Sequence, residues 1–351
     1  MGATCRGVVF TGDGTWDVRE FPMPTPPPGG AVLQVEAVGL CASDIAQLHG
    51  HKHVPGEVCP VVPGHEIVGR VHALAPDADL GVSVGQRVGV DLVVRGEGPM
   101  PALVYGYTKA LDDRSGLYGG YGEFMEVVAG THLVPLPDDV PAEELSLFEP
   151  LASCVNWAET AGIRDGDTVV IQGPGHMGLI MTAVAKAYGA GTVIVSGRGV
   201  DDLRLAAARE IGADHTVDVD AEDLAARVKE LTRGRGADVV VDLADGATVT
   251  VSLALEIVAH RGRVLLAGLK NMAPAQLVTD LIVLKGLTVH GGSGSTPASM
   301  DKAGELLQAK VLPTRALLGE VRTLDTLDDA MALLMRTGGR DAIRVSLKHG
   351  A

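Results

Sequence analysis

The chain has 351 residues, a formal net charge of −15 and four cysteines, and each figure removes a class of function. A protein that neutralises nucleic-acid phosphates would be basic, and the irregularly spaced Cys5, Cys41, Cys59 and Cys154 build no disulfide framework. The length predicts two domains, no apolar run approaches the roughly 18 residues of a membrane span, and residues 1–6 carry no signal-peptide or myristoylation pattern, so a cytoplasmic protein without a membrane partner is expected.

Residues 1–148 read as β-rich. The stretch 31–38 alternates partly, as a half-buried strand does, 61–71 carries another strand beyond its glycine, and turn clusters at 24–30 and 81–85 punctuate the run. From Asp167 the rhythm changes. Residues 167–172 form a short apolar strand, and 177–188 follow helical periodicity, with Leu179, Ile180, Ala183, Val184 and Ala187 on one stripe and Gly189 as the stop. Strand 192–195, helix 203–211, strand 238–242, helix 248–259 and strands 263–267 and 287–291 continue the alternation, which predicts right-handed βαβ units on a parallel sheet.

Beyond Gly294, Thr296-Pro297 is a helix start, and Thr326 with Asp329 resembles a capping box for a helix to about Arg336. A last strand is expected over 342–347. The layout predicts an α/β protein, with a doubly wound parallel-sheet domain (149–296) inserted in a β-rich one (1–148 and 297–351).

Two constellations carry chemistry. Cys41, His65, Glu66 and Glu149 supply a thiolate, an imidazole and two carboxylates, the donor set of a zinc-like centre with an exchangeable position. Singly, Cys41 also reads as a buried thiol, His65 as a core imidazole and Glu149 as a surface acid flanking a helix; Cys59 and Cys154 read as packing.

The second constellation is Gly173-Pro174-Gly175-His176-Met177-Gly178, between a predicted strand and a predicted helix. Gly173 permits the turn, Gly175 admits a pyrophosphate to the backbone, and Gly178 lets helix and strand pack closely. The second strand ends in Ser196-Gly197-Arg198 with no carboxylate against a 2′-phosphate, which favours NADP over NAD. The alternative leaves Arg198 exposed and gives the ribose to Asp201 or Asp202.

Gly39-Leu40-Cys41-Ala42-Ser43-Asp44, Pro63-Gly64-His65-Glu66, Val84-Gly85-Gln86-Arg87-Val88, Gly119-Gly120-Tyr121-Gly122-Glu123-Phe124, Glu149-Pro150-Leu151 and the glycine loop, in that order, resemble the zinc-dependent medium-chain dehydrogenase/reductase family along the whole chain. The resemblance implies a GroES-like catalytic domain holding an inserted Rossmann domain. It makes Cys41, His65 and Glu149 ligands of one catalytic zinc, with Glu66 a fourth ligand or one that exchanges with water and substrate, Asp44 the carboxylate that orients His65, Ser43 the hydroxyl that passes the alcohol proton toward solvent, and Arg344 a residue reaching the cofactor phosphates.

Residues 91–120, where many relatives carry four cysteines for a structural zinc, contain none. The likeness is therefore to the one-zinc branch of sorbitol-type and secondary-alcohol dehydrogenases. Ala46 stands where some relatives have a relay histidine, and His49, His51 or His53 is a substitute unless that loop is merely solvated. The expected activity is hydride transfer between NAD(P) and a secondary or cyclic alcohol or polyol and its ketone, by a homodimer or homotetramer. The alternatives are a zinc-free NADPH-dependent reductase of activated double bonds and a non-enzymatic nucleotide-binding scaffold. Tyr105, Tyr107, Tyr118 and Tyr121 read equally as pocket walls or subunit contacts and as packing of a long loop.

Overall fold

A computed structural model describes residues 2–52, 54–96, 98 and 101–350. The chain divides into two units, one of residues up to 149 with 303–309 and 318 onward, the other of 150–302 with 310–317.

The first unit opens with β1 (Thr4–Phe10) antiparallel to β2 (Trp16–Pro22). Then come β3 (Ala31–Leu40), α1 (Ala42–Leu48), β4 (Glu66–Leu74), β5 (Arg87–Val90), the hairpin β6 (Val93–Arg95) and β7 (Pro101–Val104), β8 (Phe124–Val127), β9 (Leu133–Pro135) and α2 (Ala142–Leu145). The alternation in 31–38 is partial because β3 is central and covered on both faces. Of its polar residues, Glu36 accepts from both Arg70 and Arg87. Val35, Val38, Ile67, Val88 and Met125 join the unit's core, where full burial of each such side chain contributes roughly 1.5–3 kcal/mol.

Helix α3 (Phe148–Ala161) leads into the second unit. There β10 (Thr168–Gln172), α4 (His176–Ala187), β11 (Thr192–Gly197), α5 (Asp202–Ile211), β12 (His215–Asp218), α6 (Leu224–Leu231), β13 (Ala237–Asp242), α7 (Val249–Ile257), β14 (Val258–Leu266), α8 (Asp280–Lys285) and β15 (Thr288–Gly291) follow in turn. The six strands are all parallel, in the order β12-β11-β10-β13-β14-β15. The order reverses between β10 and β13, and dinucleotides bind at the carboxyl ends of strands beside such a reversal. Sequence periodicity missed β12 and α6: the strand is four residues of which Val217 alone is buried, and the helix buries only Leu224 and Val228.

The chain returns through α9 (Pro297–Gln308), α10 (Thr314–Leu317), β16 (Glu320–Arg322), α11 (Leu327–Leu334) and β17 (Val345–Lys348). Thr296 caps α9 as its sequence suggests, accepting from Ser299 N (3.1 Å). Residues 297–302 and 310–317, expected with the first unit, belong to the second, since α10 packs on α4 and α5. Helix α11 lacks the expected side-chain cap. Asp329 is held instead by Arg340 and Arg322, which bring its carboxyl down to about 2. Strand β17 inserts between β16 and β3, parallel to the first and antiparallel to the second, so the chain's last strand sits inside the first unit's seven-stranded sheet. No helix of the described residues is long and apolar enough to cross a membrane.

His349, just past β17, is buried and donates from Nε2 to Gly120 O (2.9 Å). Burial pushes its imidazole down to about 4. Between that value and the ordinary range near 6.5 the unfolded chain binds the extra proton. The contribution of His349 to stability is therefore full above the unfolded value and lost as pH falls, by up to about 3 kcal/mol. His349→Gln should show a smaller drop in Tm than the native chain between about pH 7 and pH 4.5; parallel Tm–pH curves from calorimetry would contradict this.

Candidate metal and dinucleotide site

Pairing of β3 with β4 sets Gly39 opposite Glu66. Cys41, two residues beyond Gly39, and His65, one before Glu66, therefore meet at the same end of the ladder. The donor atoms of Cys41, His65 and Glu66 all lie within 4.8 Å of one another, the one such group of three found among the described residues. A thiolate, an imidazole and a carboxylate at that spacing suit zinc by donor chemistry.

Gly39 makes the arrangement possible. A Cβ there would stand 1.9 Å from Glu66 Oε2 and 2.0 Å from Arg344 Nη2. In the space it leaves, Arg344 donates through Nη2 to Glu66 Oε2 (2.5 Å) and Ser146 O (2.7 Å). Arg344 is only 5% exposed, and among the described residues its Nε and Nη1 have no hydrogen-bond partner.

Asp44 is fully buried in α1. Its Oδ2 accepts from Cys41 N (2.8 Å) and from the Tyr121 hydroxyl (3.0 Å), and its Oδ1 lies 3.5 Å from His65 Nδ1. Burial opposes charge on His65, but Tyr107, Asp44 and Cys41 outweigh it and hold the imidazole well above its ordinary range. Ser43 Oγ is 2.9 Å from the Tyr107 hydroxyl, which is 3.1 Å from His65 Nδ1. Glu149 does not join the three donors. It is a buried residue in the first turn of α3 rather than a surface acid.

Cys154 is buried with Sγ 3.5 Å from Met177 O, whereas Cys59, read as packing, is exposed because it sits on a surface turn. All four tyrosines are buried and each hydroxyl has a partner: Tyr105 and Tyr118 bond Thr131 and Glu126, while Tyr107 and Tyr121 bond His65 and Asp44 beside the donors. His49 and His51 are exposed, and His53 lies outside the described residues. Sequence reasoning missed Tyr107 and Tyr121 as neighbours of the donors. Their signal was a cluster of aromatics in an aromatic-poor chain, but nothing local tied it to residues 41–66.

In the second unit, Gly173 turns the chain at φ +101° after β10, and Gly175 precedes α4. A Cβ on Gly178 would lie 2.0 Å from Gly173 O, while nothing stands within 4 Å of one on Gly175. The loop is thus closed on its helix side and open where a phosphate would approach, with His176 and Met177 in the first turn of α4. At the end of β11, Ser196 and Gly197 are buried. Arg198 is largely exposed; its Nε donates to Asp220 Oδ1 (3.3 Å) and its backbone N–H to Asp201 Oδ2 (3.1 Å).

Residues 27–138 match the model of the alcohol dehydrogenase GroES-like domain, and residues 177–309 that of the zinc-binding dehydrogenase. Among curated proteins, the chain is 33% identical to "Probable alcohol dehydrogenase adh" of Mycobacterium tuberculosis (strain ATCC 25618 / H37Rv), over 97% of each chain. It is 32% identical to the sorbitol dehydrogenase of Halalkalibacterium halodurans, over 91% of this chain and 92% of that one. Among solved structures, a Sinorhizobium meliloti protein bound to NADP superposes with a TM-score of 0.85 at 26% identity, over 99% of this chain and 100% of that one. The two matched domains and the near-full-length relatives agree, and the chain belongs to the zinc-type alcohol dehydrogenases of the medium-chain dehydrogenase/reductase family.

Proposed function

We propose that this NAD(P)-dependent zinc alcohol dehydrogenase interconverts a secondary or cyclic alcohol or polyol and its ketone. The observation that carries the reading is the meeting of Cys41, His65 and Glu66 in a chain that also holds a glycine loop on a parallel sheet. The sorbitol dehydrogenase relative supports the polyol class.

Cys41, His65 and Glu66 would hold one zinc per chain, with Glu149 as a further ligand. When bound, the metal supplies Lewis acidity toward the reacting oxygen, and the dinucleotide accepts or gives the hydride. Asp44 fixes the His65 ring by facing its Nδ1, which leaves Nε2 for the metal. Ser43 would pass on the proton that the alcohol loses, accepting it at Oγ as its own hydroxyl proton leaves toward solvent. Gly173, Gly175, His176, Met177 and Gly178 would take the pyrophosphate, with Arg344 offering its two partnerless donors to cofactor phosphate. The absence of cysteine from 91–120 supports a single zinc.

Ser196, Gly197 and Arg198 would receive the adenosine end, with NADP favoured over NAD because Arg198 is a cation at the end of β11. Asp220 competes for that guanidinium and tempers the preference. A homodimer, or a tetramer built from it, is supported by β15 at the open edge of the parallel sheet and by Val283 and Leu284, 77% and 75% exposed on α8.

Three outcomes test these readings. Cys41→Ala should lose the zinc found by elemental analysis of the native protein, and alcohol-dependent cofactor reduction should fall to background while NAD(P)H still binds by fluorescence titration. Arg198→Ala should lower kcat/KM for NADP about tenfold or more with little change for NAD, and Asp220→Asn should raise the NADP:NAD ratio. The double substitution Val283→Asp with Leu284→Asp should yield monomers in light scattering; an unchanged oligomer would place the interface elsewhere.

A further inference from the structure

Tyr107 lies outside every motif that marks the family resemblance, yet its hydroxyl stands between two of the residues that motif supplies. It is 2.9 Å from Ser43 Oγ and 3.1 Å from His65 Nδ1, and the two rings lie 5.3 Å apart at 41°. The placement is rigid. Val58 N donates to Tyr107 O (2.9 Å), and the preceding residue, Gly106, accepts from Gln47 Nε2 of α1 (2.8 Å) and donates to Tyr118 O (2.8 Å). With a side chain 4% exposed, no alternative partner in solvent competes.

The directions of these bonds follow from proton counting. A histidine that gives Nε2 to a metal carries its ring proton on Nδ1. Two oxygens face that proton, the Tyr107 hydroxyl at 3.1 Å and Asp44 Oδ1 at 3.5 Å. The nearer is the phenol, at hydrogen-bond distance; Asp44 Oδ1, whose carboxylate is otherwise engaged through Oδ2 by Cys41 N and Tyr121, faces the same proton from further off and orients the ring with it. A phenol that accepts from His65 has one proton left, and Ser43 Oγ is within reach of it. Ser43, accepting from Tyr107, keeps its own proton free to point elsewhere.

We propose that Tyr107 is a positioning residue that ties the metal ligand His65 to the hydroxyl of Ser43, an inference that rests on the zinc dehydrogenase reading above. It orients His65 toward the metal and at the same time fixes the polarity of Ser43, so that the serine proton faces the substrate oxygen.

The test compares Tyr107→Phe, Ser43→Ala, their combination and Tyr105→Phe with the native protein, each loaded with zinc or with cobalt(II). Zinc affinity is read by competition with a chromophoric chelator, and the site by the cobalt visible spectrum. Tyr107→Phe should weaken zinc binding about tenfold, shift the cobalt bands, and lower kcat at saturating zinc with the KM for cofactor unchanged. Ser43→Ala should lower kcat and leave zinc affinity alone, and adding Tyr107→Phe to it should cost little further kcat at saturating zinc. Tyr105→Phe removes a hydroxyl buried in the same unit that bonds Thr131 and Val128 N, so it should move Tm only.

Native zinc affinity and an unshifted cobalt spectrum in Tyr107→Phe would overturn the proposal, as would equal shifts in Tyr105→Phe. A native protein that binds neither metal would overturn the zinc reading beneath it.

Discussion

The cluster of Cys41, His65 and Glu66 depends on a buried ion pair, Arg344 with Glu66, whose two side chains are almost wholly out of water. A carboxylate buried beside a thiol and a second carboxylate, Asp44, is costly unless a cation shares its space. Arg344 supplies that cation, and Gly39 supplies the room by having no side chain. The pair commits Glu66 Oε2 to the guanidinium. Truncating either partner strands a buried charge, which costs more than the pair itself contributes.

Around that pair the site is built from hydroxyls. Tyr121 and the Cys41 amide both donate to Asp44, and Tyr107 bridges Ser43 and His65. These bonds come from residues 41–66 and 105–121, so the loop rich in tyrosine is the wall against which the donors are set. The other end of the chemistry is organised by backbone rather than by side chains. The glycine loop leaves space, and the strand order reverses beside it.

How much of this was legible in the sequence varies with the range of the interaction. The parallel sheet was legible because strands such as 168–172 and helices such as 176–187 bury contiguous apolar faces, whose periods survive in the chain. β12 and α6 bury too little for a period to show. Cys41, His65 and Glu66 stood out by residue type, and strand pairing brought them together. Tyr107 and Arg344 could not be placed from local pattern, since their partners lie 42 and 278 residues away. The capping role expected of Asp329 failed for a related reason: Arg322 and Arg340, not the helix start, compete best for a carboxylate. At Arg198 the sequence showed a cation, but not the Asp220 carboxylate, 22 residues on, that shares it.

The position of β17 between β16 and β3 has a consequence for how the protein is made. Synthesis delivers the amino-terminal strands first, and the parallel sheet of the second unit, whose contacts are closer in sequence, follows from the ribosome as a self-sufficient block. The first unit must wait with an open gap beside β3 until residues 345–348 emerge. Until then Glu66 has no Arg344, and the donor cluster beside it is an uncompensated group of acids. The donor cluster is therefore completed only after Arg344 has been made, and a nascent chain stalled before Arg344 would present unpaired strand edges and an incomplete cluster to the chaperones and proteases that meet it.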